Sequence, residues 1–299
     1  MNLCDPRTIK SLLEKYSLAP KKKFGQNFLT NPSVPENIAE AARAASDGSA
    51  VLEIGPGLGT LTSELCKRFG KVVAVEIDTG LIPLLTETLA DFPNVEIVSG
   101  DFMKLDVPSF VLQKFGDSRP AVCANLPYYI TSPILMRLIE SFPYGAPLPF
   151  SSITVMVQSE VADRISAMAG SADYGSITAE IALRCNVRRV MTVSPGSFFP
   201  PPKVTSAVIQ LTPHERGIYS VYPDAPADRE ECEAFGRRVT ELITAAFLMR
   251  RKTLVNAASS VYRKDDISAA LERAGMRPDV RGERLSAADF CRLAAFLEK

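Results

Sequence analysis

The sequence predicts an α/β fold: a parallel sheet covered by helices, followed by a small all-helical domain at the C-terminal end. Three observations predict it. Short apolar runs alternate with amphipathic stretches through the first 200 residues, a glycine-rich turn follows the first of these runs, and only helical patterns occur after residue 228. With 299 residues the chain has the length of about two domains. A hydrophobic content of 46% supports a sizeable core and argues against disorder.

In chain order, strands are expected at Ala50–Ile54, Val72–Val75, Val95–Val98, Ala121–Ala124 and Ile153–Val157, each a short run of apolar residues. Amphipathic stretches near 60–69, 79–91, 109–115 and 132–141 supply the intervening helices. Strand–helix alternation of this kind argues for parallel pairing. Two further runs, Val187–Val193 and Val204–Leu211, flank a proline cluster and fit a hairpin at the sheet edge. Residues 213–228, rich in Pro and Asp without an apolar period, read as a linker. Helical patterns follow at 229–260, 265–275 and 286–298, and Ser286 with Asp289 has the spacing of a capping box. The expected domains are 1–212 and 213–299.

No run approaches the roughly 18 apolar residues that signal a bilayer span. Met1 to Pro20 is polar and charged, without the apolar centre of a signal peptide, so a cytoplasmic protein is expected. Cys4, Cys66, Cys123, Cys185, Cys232 and Cys291 form no C-x-x-C pair, which argues against zinc or thioredoxin chemistry and reads as reduced core thiols. The single histidine, His214, follows Pro213 and reads as a surface residue; its isolation excludes His-based triads and His-metal centres. No metal is expected. Formal net charge is zero, but the charge is uneven: residues 71–110 carry seven acids and two bases, whereas residues 236–264 carry seven bases and one acid. Residues 184–203 carry four bases and no acid, and the first 23 residues six bases and two acids. Such clusters are either ordinary solvated charge or the basic face that a nucleic-acid partner requires.

Val51 to Thr60 reads V-L-E-I-G-P-G-L-G-T, a strand running into a glycine turn and then a helix. Glycine permits positive φ and close approach of the backbone to a ligand, and the amides opening the helix are free. The dinucleotide fingerprint G-x-G-x-x-G would place Thr60 at its third glycine. The observed G-x-G-x-G suits S-adenosyl-L-methionine better than NAD. Glu76 ends the second strand 21 residues after Gly55, where a carboxylate can accept both ribose hydroxyls. Asp101 follows the third strand 25 residues later, and Asn125 the fourth strand 24 residues after that. Carboxyl ends of neighbouring parallel strands share the edge where ligands bind, so these residues read as one nucleoside-cofactor site.

Asn125-Leu126-Pro127-Tyr128 closes the fourth strand. Alone it reads as a proline-bearing loop; after the fourth strand of a glycine-loop domain it fits methylation of an amino group. The amine of a purine is a poor nucleophile because its lone pair is delocalised into the ring. The Asn125 side-chain oxygen and a nearby backbone carbonyl can hold its two hydrogens, favouring a pyramidal nitrogen with its lone pair in line for transfer. A strong base is not required, since the methylated ammonium sheds its proton readily. Tyr128 would stack on an extruded base. Phe198-Phe199-Pro200-Pro201-Pro202-Lys203 is a second rigid segment, either a stacking platform for unpaired bases or a hydrophobic plug held by prolines.

Ordered along nearly the whole chain, these segments resemble the KsgA/RsmA family of ribosomal RNA adenine dimethyltransferases. The resemblance is carried by Lys23 to Leu29, Val51 to Thr62, Val75 to Asp78, Gly100-Asp101, Ala124 to Pro133, Gln158 to Arg164, Tyr174 to Ser176, Phe198 to Ser206 and Arg250 to Asn256. It implies a Rossmann-like class I S-adenosyl-L-methionine-dependent methyltransferase domain with a small helical C-terminal domain. Asn27 and Leu29 would contact the methionine part of the cofactor, Gly55 and Gly57 would pass close to it, Glu76 would take the ribose and Asp101 the adenine amine. Asn125 would sit between cofactor and target, completing a catalytic set with Leu126, Pro127, Tyr128 and Phe198. Gln26–Leu29, Tyr128 and Phe198 would set the space for readmitting an N-methyl adenine. RNA phosphates would meet Lys22, Lys23, Lys203, Arg250, Arg251 and Lys252, with Arg237 and Arg238 beside them.

The implied reaction transfers four methyl groups to two adjacent adenosines in the 3′-terminal hairpin loop of 16S rRNA during small-subunit assembly; a monomer is expected. Two positions depart from the family pattern. Tyr129 stands where an asparagine is common, a change that bears on base stacking, and Ser159 where a lysine is frequent, removing one possible phosphate contact. The rival readings are a dimethyltransferase of large-subunit rRNA and a non-catalytic assembly factor. An NAD-linked oxidoreductase fails on glycine spacing.

Overall fold

A computed structural model of the chain describes residues 1–19, 26–127 and 129–297. Its strands, in chain order, are β1 (Phe28–Leu29), β2 (Ala50–Ile54), β3 (Lys71–Glu76), β4 (Val95–Ser99), β5 (Ala121–Asn125), β6 (Ile153–Gln158), β7 (Cys185–Val193), β8 (Phe198–Phe199) and β9 (Ser206–Pro213). Seven of them form one sheet in the order β4-β3-β2-β5-β6-β9-β7. The first five in that order pair in parallel, and β9 runs antiparallel to β6. Central strands β2 and β5 are buried almost throughout, as expected where helices cover both faces, which is why they read as unbroken apolar runs. All five expected parallel strands are present within two residues of their predicted ends, and β7 and β9 are neighbours at the sheet edge. From β2 the chain moves outward to β3 and β4, then returns to β5 on the other side. That reversal is the topological switch point, where a crevice opens at the carboxyl ends of β2 and β5.

Two helices not foreseen in the sequence pack on this unit. Helix α1 (Pro6–Lys15) begins at Asp5, whose side chain accepts the Arg7 amide at 2.8 Å. Its Ile9, Leu12 and Leu13 join Leu81, Leu84 and Leu85 in one cluster, a spacing that makes a single apolar stripe. Helix α2 (Ser33–Ala44) presents Ile38, Ala39 and Ala42 to a second cluster containing Val51, Ala121 and Met156. Beneath α2 the buried Gln210 is fully used. Its amide nitrogen donates to the Ala41 carbonyl (2.8 Å) and Thr154 hydroxyl (2.9 Å), and its oxygen accepts twice from Arg188.

The chain divides into two compact units, and the division corrects the boundary expected from sequence. The first contains 1–141, 149–162 and 188–212; the second contains 142–148 and 163–187 as well as 213–299. Arg184 accounts for much of the difference. It is 1% exposed, donates to the carbonyls of Phe142, Pro143 and Ala146, and lies over the Tyr144 ring. Tyr144, Tyr174 and Leu183 then share a core with Phe235, Leu242 and Phe290. Residues 213–228 are also packed rather than a linker. Ile218 is fully buried, its amide donates to the Tyr144 carbonyl at 3.0 Å, and Tyr222 stacks on Phe235. His214 is half-buried with its ring nitrogen 3.1 Å from the Ala182 carbonyl, not a surface residue.

In the second unit the long helix Arg229–Leu248 is capped by Asp228, which accepts the amides of Glu230 and Glu231. Within it Gly236 leaves room for Tyr144: an added Cβ would lie 2.2 Å from the ring. We expect Gly236→Ala to lower stability by about 2–3 kcal/mol in chemical denaturation, through overpacking, despite alanine's better helix propensity. The expected capping box is formed at Ser286, which accepts the Asp289 amide while Asp289 accepts the Ser286 amide. Among the described residues no helix is long and apolar enough to cross a membrane.

Candidate active site

The carboxyl ends of β2, β3, β4 and β5 open into a cleft. The glycine turn forms one wall. Gly55, Gly57 and Gly59 have φ of 73°, 61° and 86°, in the left-handed region where a side chain is strained. At Gly55 an added Cβ would meet nothing within 4 Å, so the backbone there faces open space that a ligand can approach closely.

Glu76, 4% exposed at the end of β3, is fixed by the turn it faces. One carboxylate oxygen accepts the Gly57 amide at 3.1 Å and the other the Asp78 amide at 2.8 Å. Burial raises its pKa, and these amides pull it back. Each oxygen retains acceptor capacity for a ribose hydroxyl. Asp101, after β4, accepts the Met103 amide at 3.0 Å and so caps the short turn Phe102–Lys104. Asn125 ends β5, and its amide nitrogen donates to the Asn27 carbonyl at 3.4 Å, which turns its side-chain oxygen into the free acceptor. Asn27 and Leu29 line the same cleft, held by pairing of β1 with β8, Phe28 opposite Phe199 and Leu29 opposite Phe198.

Leu126 and Pro127 also line the cleft. The Pro127 carbonyl accepts the Ile130 amide (3.1 Å) and the Thr131 hydroxyl (3.2 Å). Leu126 is therefore the better-placed backbone acceptor of the tetrapeptide. Tyr128, Lys22 and Lys23 lie outside the described residues.

Three expected roles change. Phe198 is 4% exposed and packs in the core with Leu29, Val34 and Met156, not on the cleft wall, because its pairing opposite Leu29 turns it inward. Of the two alternatives for the Phe198–Lys203 segment, the plug describes Phe198. Arg250 donates to the carbonyls of Ala172 and Tyr174, both at 2.9 Å, and so ties down that loop. Arg238 likewise donates to the carbonyls of Ala294 and Leu297 at the end of the last helix. Arg237 is exposed but paired with Glu233. Arg251, Lys252 and Lys203 remain exposed. Ser159 accepts a hydrogen bond from Arg189 at 2.8 Å, so a cation stands beside the position where the frequent lysine is missing.

The full sequence matches known proteins along its length. The ribosomal RNA adenine dimethylase family matches residues 18–299. The chain belongs to this family. A ribosomal RNA small subunit methyltransferase A from Lachnoclostridium phytofermentans is 42% identical over 99% of this chain and 98% of that protein. The protein of the same name from Streptococcus pneumoniae is 40% identical over 100% of this chain and 99% of its own length. Among solved structures, a dimethyladenosine transferase from Plasmodium falciparum aligns with a TM-score of 0.69 and 27% identity, covering 89% of this chain and 95% of that one. The 23S rRNA methyltransferase ErmE aligns at 0.65 and 26%, covering 91% and 100%. The first unit is thus the Rossmann-like domain of an S-adenosyl-L-methionine-dependent methyltransferase family.

Several cleft residues of this family member were not singled out from sequence. Ile77 is 45% exposed despite following a buried strand, and with Phe102 and Met103 supplies apolar wall beside Asp101. Tyr129, already marked in the sequence as a departure bearing on base stacking, is 60% exposed and also lines the cleft, an aromatic face available to a base. Glu53, within the glycine motif itself, borders the cleft while 1% exposed. The acid inside an apolar strand was the signal available in the sequence for Glu53; Ile77, Phe102 and Met103 left none. Among the described residues no group of three or more His, Cys, Asp or Glu side chains could hold a metal.

Proposed function

We propose that this chain is an rRNA adenine N6,N6-dimethyltransferase, transferring four methyl groups from S-adenosyl-L-methionine to two adjacent adenosines near the 3′ end of 16S rRNA during small-subunit assembly. The observation that carries the reading is the convergence of Gly55, Glu76, Asp101 and Asn125 on one cleft, in a chain matching relatives named for small-subunit rRNA methylation end to end. The donor set fits the cofactor. The cleft is lined by Glu53, Glu76 and Asp101 and by no lysine, arginine or histidine among the described residues, which favours a cation and disfavours the pyrophosphate of NAD.

When bound, S-adenosyl-L-methionine supplies an electrophilic methyl group. Gly55 admits the cofactor closely, Glu76 accepts its ribose hydroxyls and Asp101 its adenine amine. Asn125 Oδ1 and the Leu126 carbonyl accept the two hydrogens of the target amine, orienting its lone pair. The proton lost after transfer passes to water. Arg251, Lys252 and Lys203, with Lys22 and Lys23, take RNA phosphates. Replacing Arg251 and Lys252 together by alanine should weaken binding to small subunits and reduce the magnitude of its log–log salt slope by about 2, measured by filter binding.

The deciding test is transfer of labelled methyl groups to small subunits lacking the modification, with large subunits as control. Dimethyladenosine at two adjacent positions is expected. Transfer to large-subunit RNA alone would move the activity to the ErmE-like branch, and cofactor binding without transfer to either would leave an assembly role.

A further inference from the structure

Glu53 is the fourth of the five residues of β2, two before Gly55, and borders the cleft while almost wholly buried. Its register partners are Ala74 on β3 and Cys123 on β5. The helix Thr60–Cys66 brings Thr62 and Cys66 to it. Glu53 Oε2 makes no hydrogen bond, and neither does Thr62 Oγ1. The groups that act on it electrostatically are Glu76 across β3, Cys123 and Cys66; among the described residues no cation does so. A lone buried carboxylate beside a second carboxylate is costly. Burial pushes this carboxyl up to about 8, Glu76 adding to the rise and the neighbouring Thr62 hydroxyl opposing it without a well-formed hydrogen bond. The two thiols are pushed up by burial as well and stay protonated, so neither competes for the charge.

We propose that Glu53 carries a proton in the cofactor-free protein and releases it when the cationic cofactor enters, so that cofactor binding and proton release are linked. The inference rests on the reading of this cleft as the S-adenosyl-L-methionine site. The balance is simple: the neutral carboxylic acid becomes a carboxylate facing the cofactor's positive charge, and the proton goes to solvent. No bond to the cofactor forms or breaks. The arrangement spares the cleft one further uncompensated charge before binding, yet supplies a counter-charge once a cation is present. A neutral nucleoside gains nothing from it, so the linkage selects for the charged cofactor.

The test is calorimetric titration of the full chain with S-adenosyl-L-methionine at pH 7, in buffers that differ in heat of ionisation. The parent and Glu53→Gln are compared. The parent should release about one proton per cofactor more than the variant, and its affinity should climb more steeply from pH 6.5 to 8, by up to roughly tenfold per pH unit. The cofactor's own α-amino group titrates near about 8 but is common to both proteins and cancels in the difference. Glutamine reproduces the shape of the neutral acid; should the variant fail to fold, the parent titrated with the demethylated cofactor, which keeps the α-amino group but lacks the sulfonium charge, serves as the reference and should release about one proton fewer. Binding by the parent without proton release, or equal release by Glu53→Gln, overturns the proposal. Absence of binding by both proteins at every pH overturns the cofactor reading itself, and the proposal with it.

Discussion

Asn125→Ala should lower kcat for methyl transfer by about 10³ while the dissociation constant for S-adenosyl-L-methionine moves by less than about fivefold. The split follows from geometry. Asn125 lines the cleft and spends its amide nitrogen on the Asn27 carbonyl, which leaves its oxygen as the acceptor. Removing that oxygen removes an acceptor that matters most as the target nitrogen becomes pyramidal, an interaction strengthened in the transition state. The Asn27 carbonyl would lose one donor, a modest loss at 3.4 Å, and β1 would stay paired with β8. Asn125→Asp is a sharper probe. It keeps an acceptor but sets a carboxylate against the Asn27 carbonyl, so it should recover only part of the rate and bind cofactor no worse. Single-turnover transfer to unmodified small subunits, with cofactor affinity measured separately, checks both. Equal losses in rate and cofactor affinity would make Asn125 a cofactor-holding residue and leave the amine to other acceptors.

Legibility in the sequence tracked the range of the interactions involved. β2, β3, β5 and β6 were readable because burial on both faces leaves continuous apolar runs, and Glu76, Asp101 and Asn125 because parallel topology assigns the ends of β3, β4 and β5 to one edge. β1 and β8 were not, since two residues carry no period and their pairing joins segments 170 residues apart. That same pairing decides which way Phe198 points; an aromatic followed by prolines looks alike as plug or platform until Leu29 is set opposite it. Basic clusters were visible, but not that Arg238 and Arg250 are spent on backbone carbonyls of distant segments. The domain boundary failed for a related reason. Residues 142–148 look like an ordinary loop after a helix, and only the buried guanidinium of Arg184 reveals where they belong. Long-range hydrogen bonds leave no local pattern, whereas alternation and strand-end chemistry do.

Glu76→Ala should weaken S-adenosyl-L-methionine binding by about 100-fold, the loss expected when charge-assisted hydrogen bonds to a ligand are removed from a buried site. Two losses combine. The ribose hydroxyls lose their acceptors, and the Gly57 and Asp78 amides lose the carboxylate that fixes the turn beneath Gly55. Glu76→Gln separates them only partly. The glutamine amide has one oxygen, so it can accept from Gly57 or from Asp78 but must present an NH₂ to the other N–H donor. A substitution that looks conservative should therefore cost nearly as much affinity as alanine. Folding stability should move the other way or little. Burial raises the Glu76 pKa, so the folded protein binds this proton more tightly than the unfolded chain. Its contribution to stability is then largest in acid and is lost as pH rises from the unfolded carboxylate pKa through the raised folded value. Above that window the parent carries a desolvated charge that Glu76→Gln removes, offsetting the donor–donor contact it introduces, so the variant's melting temperature at pH 8 should stay close to the parent's while it binds cofactor poorly. A variant that bound cofactor normally would remove Glu76 from the ribose site. One that lost affinity and stability together at pH 8 would mean that the carboxylate chiefly holds the turn.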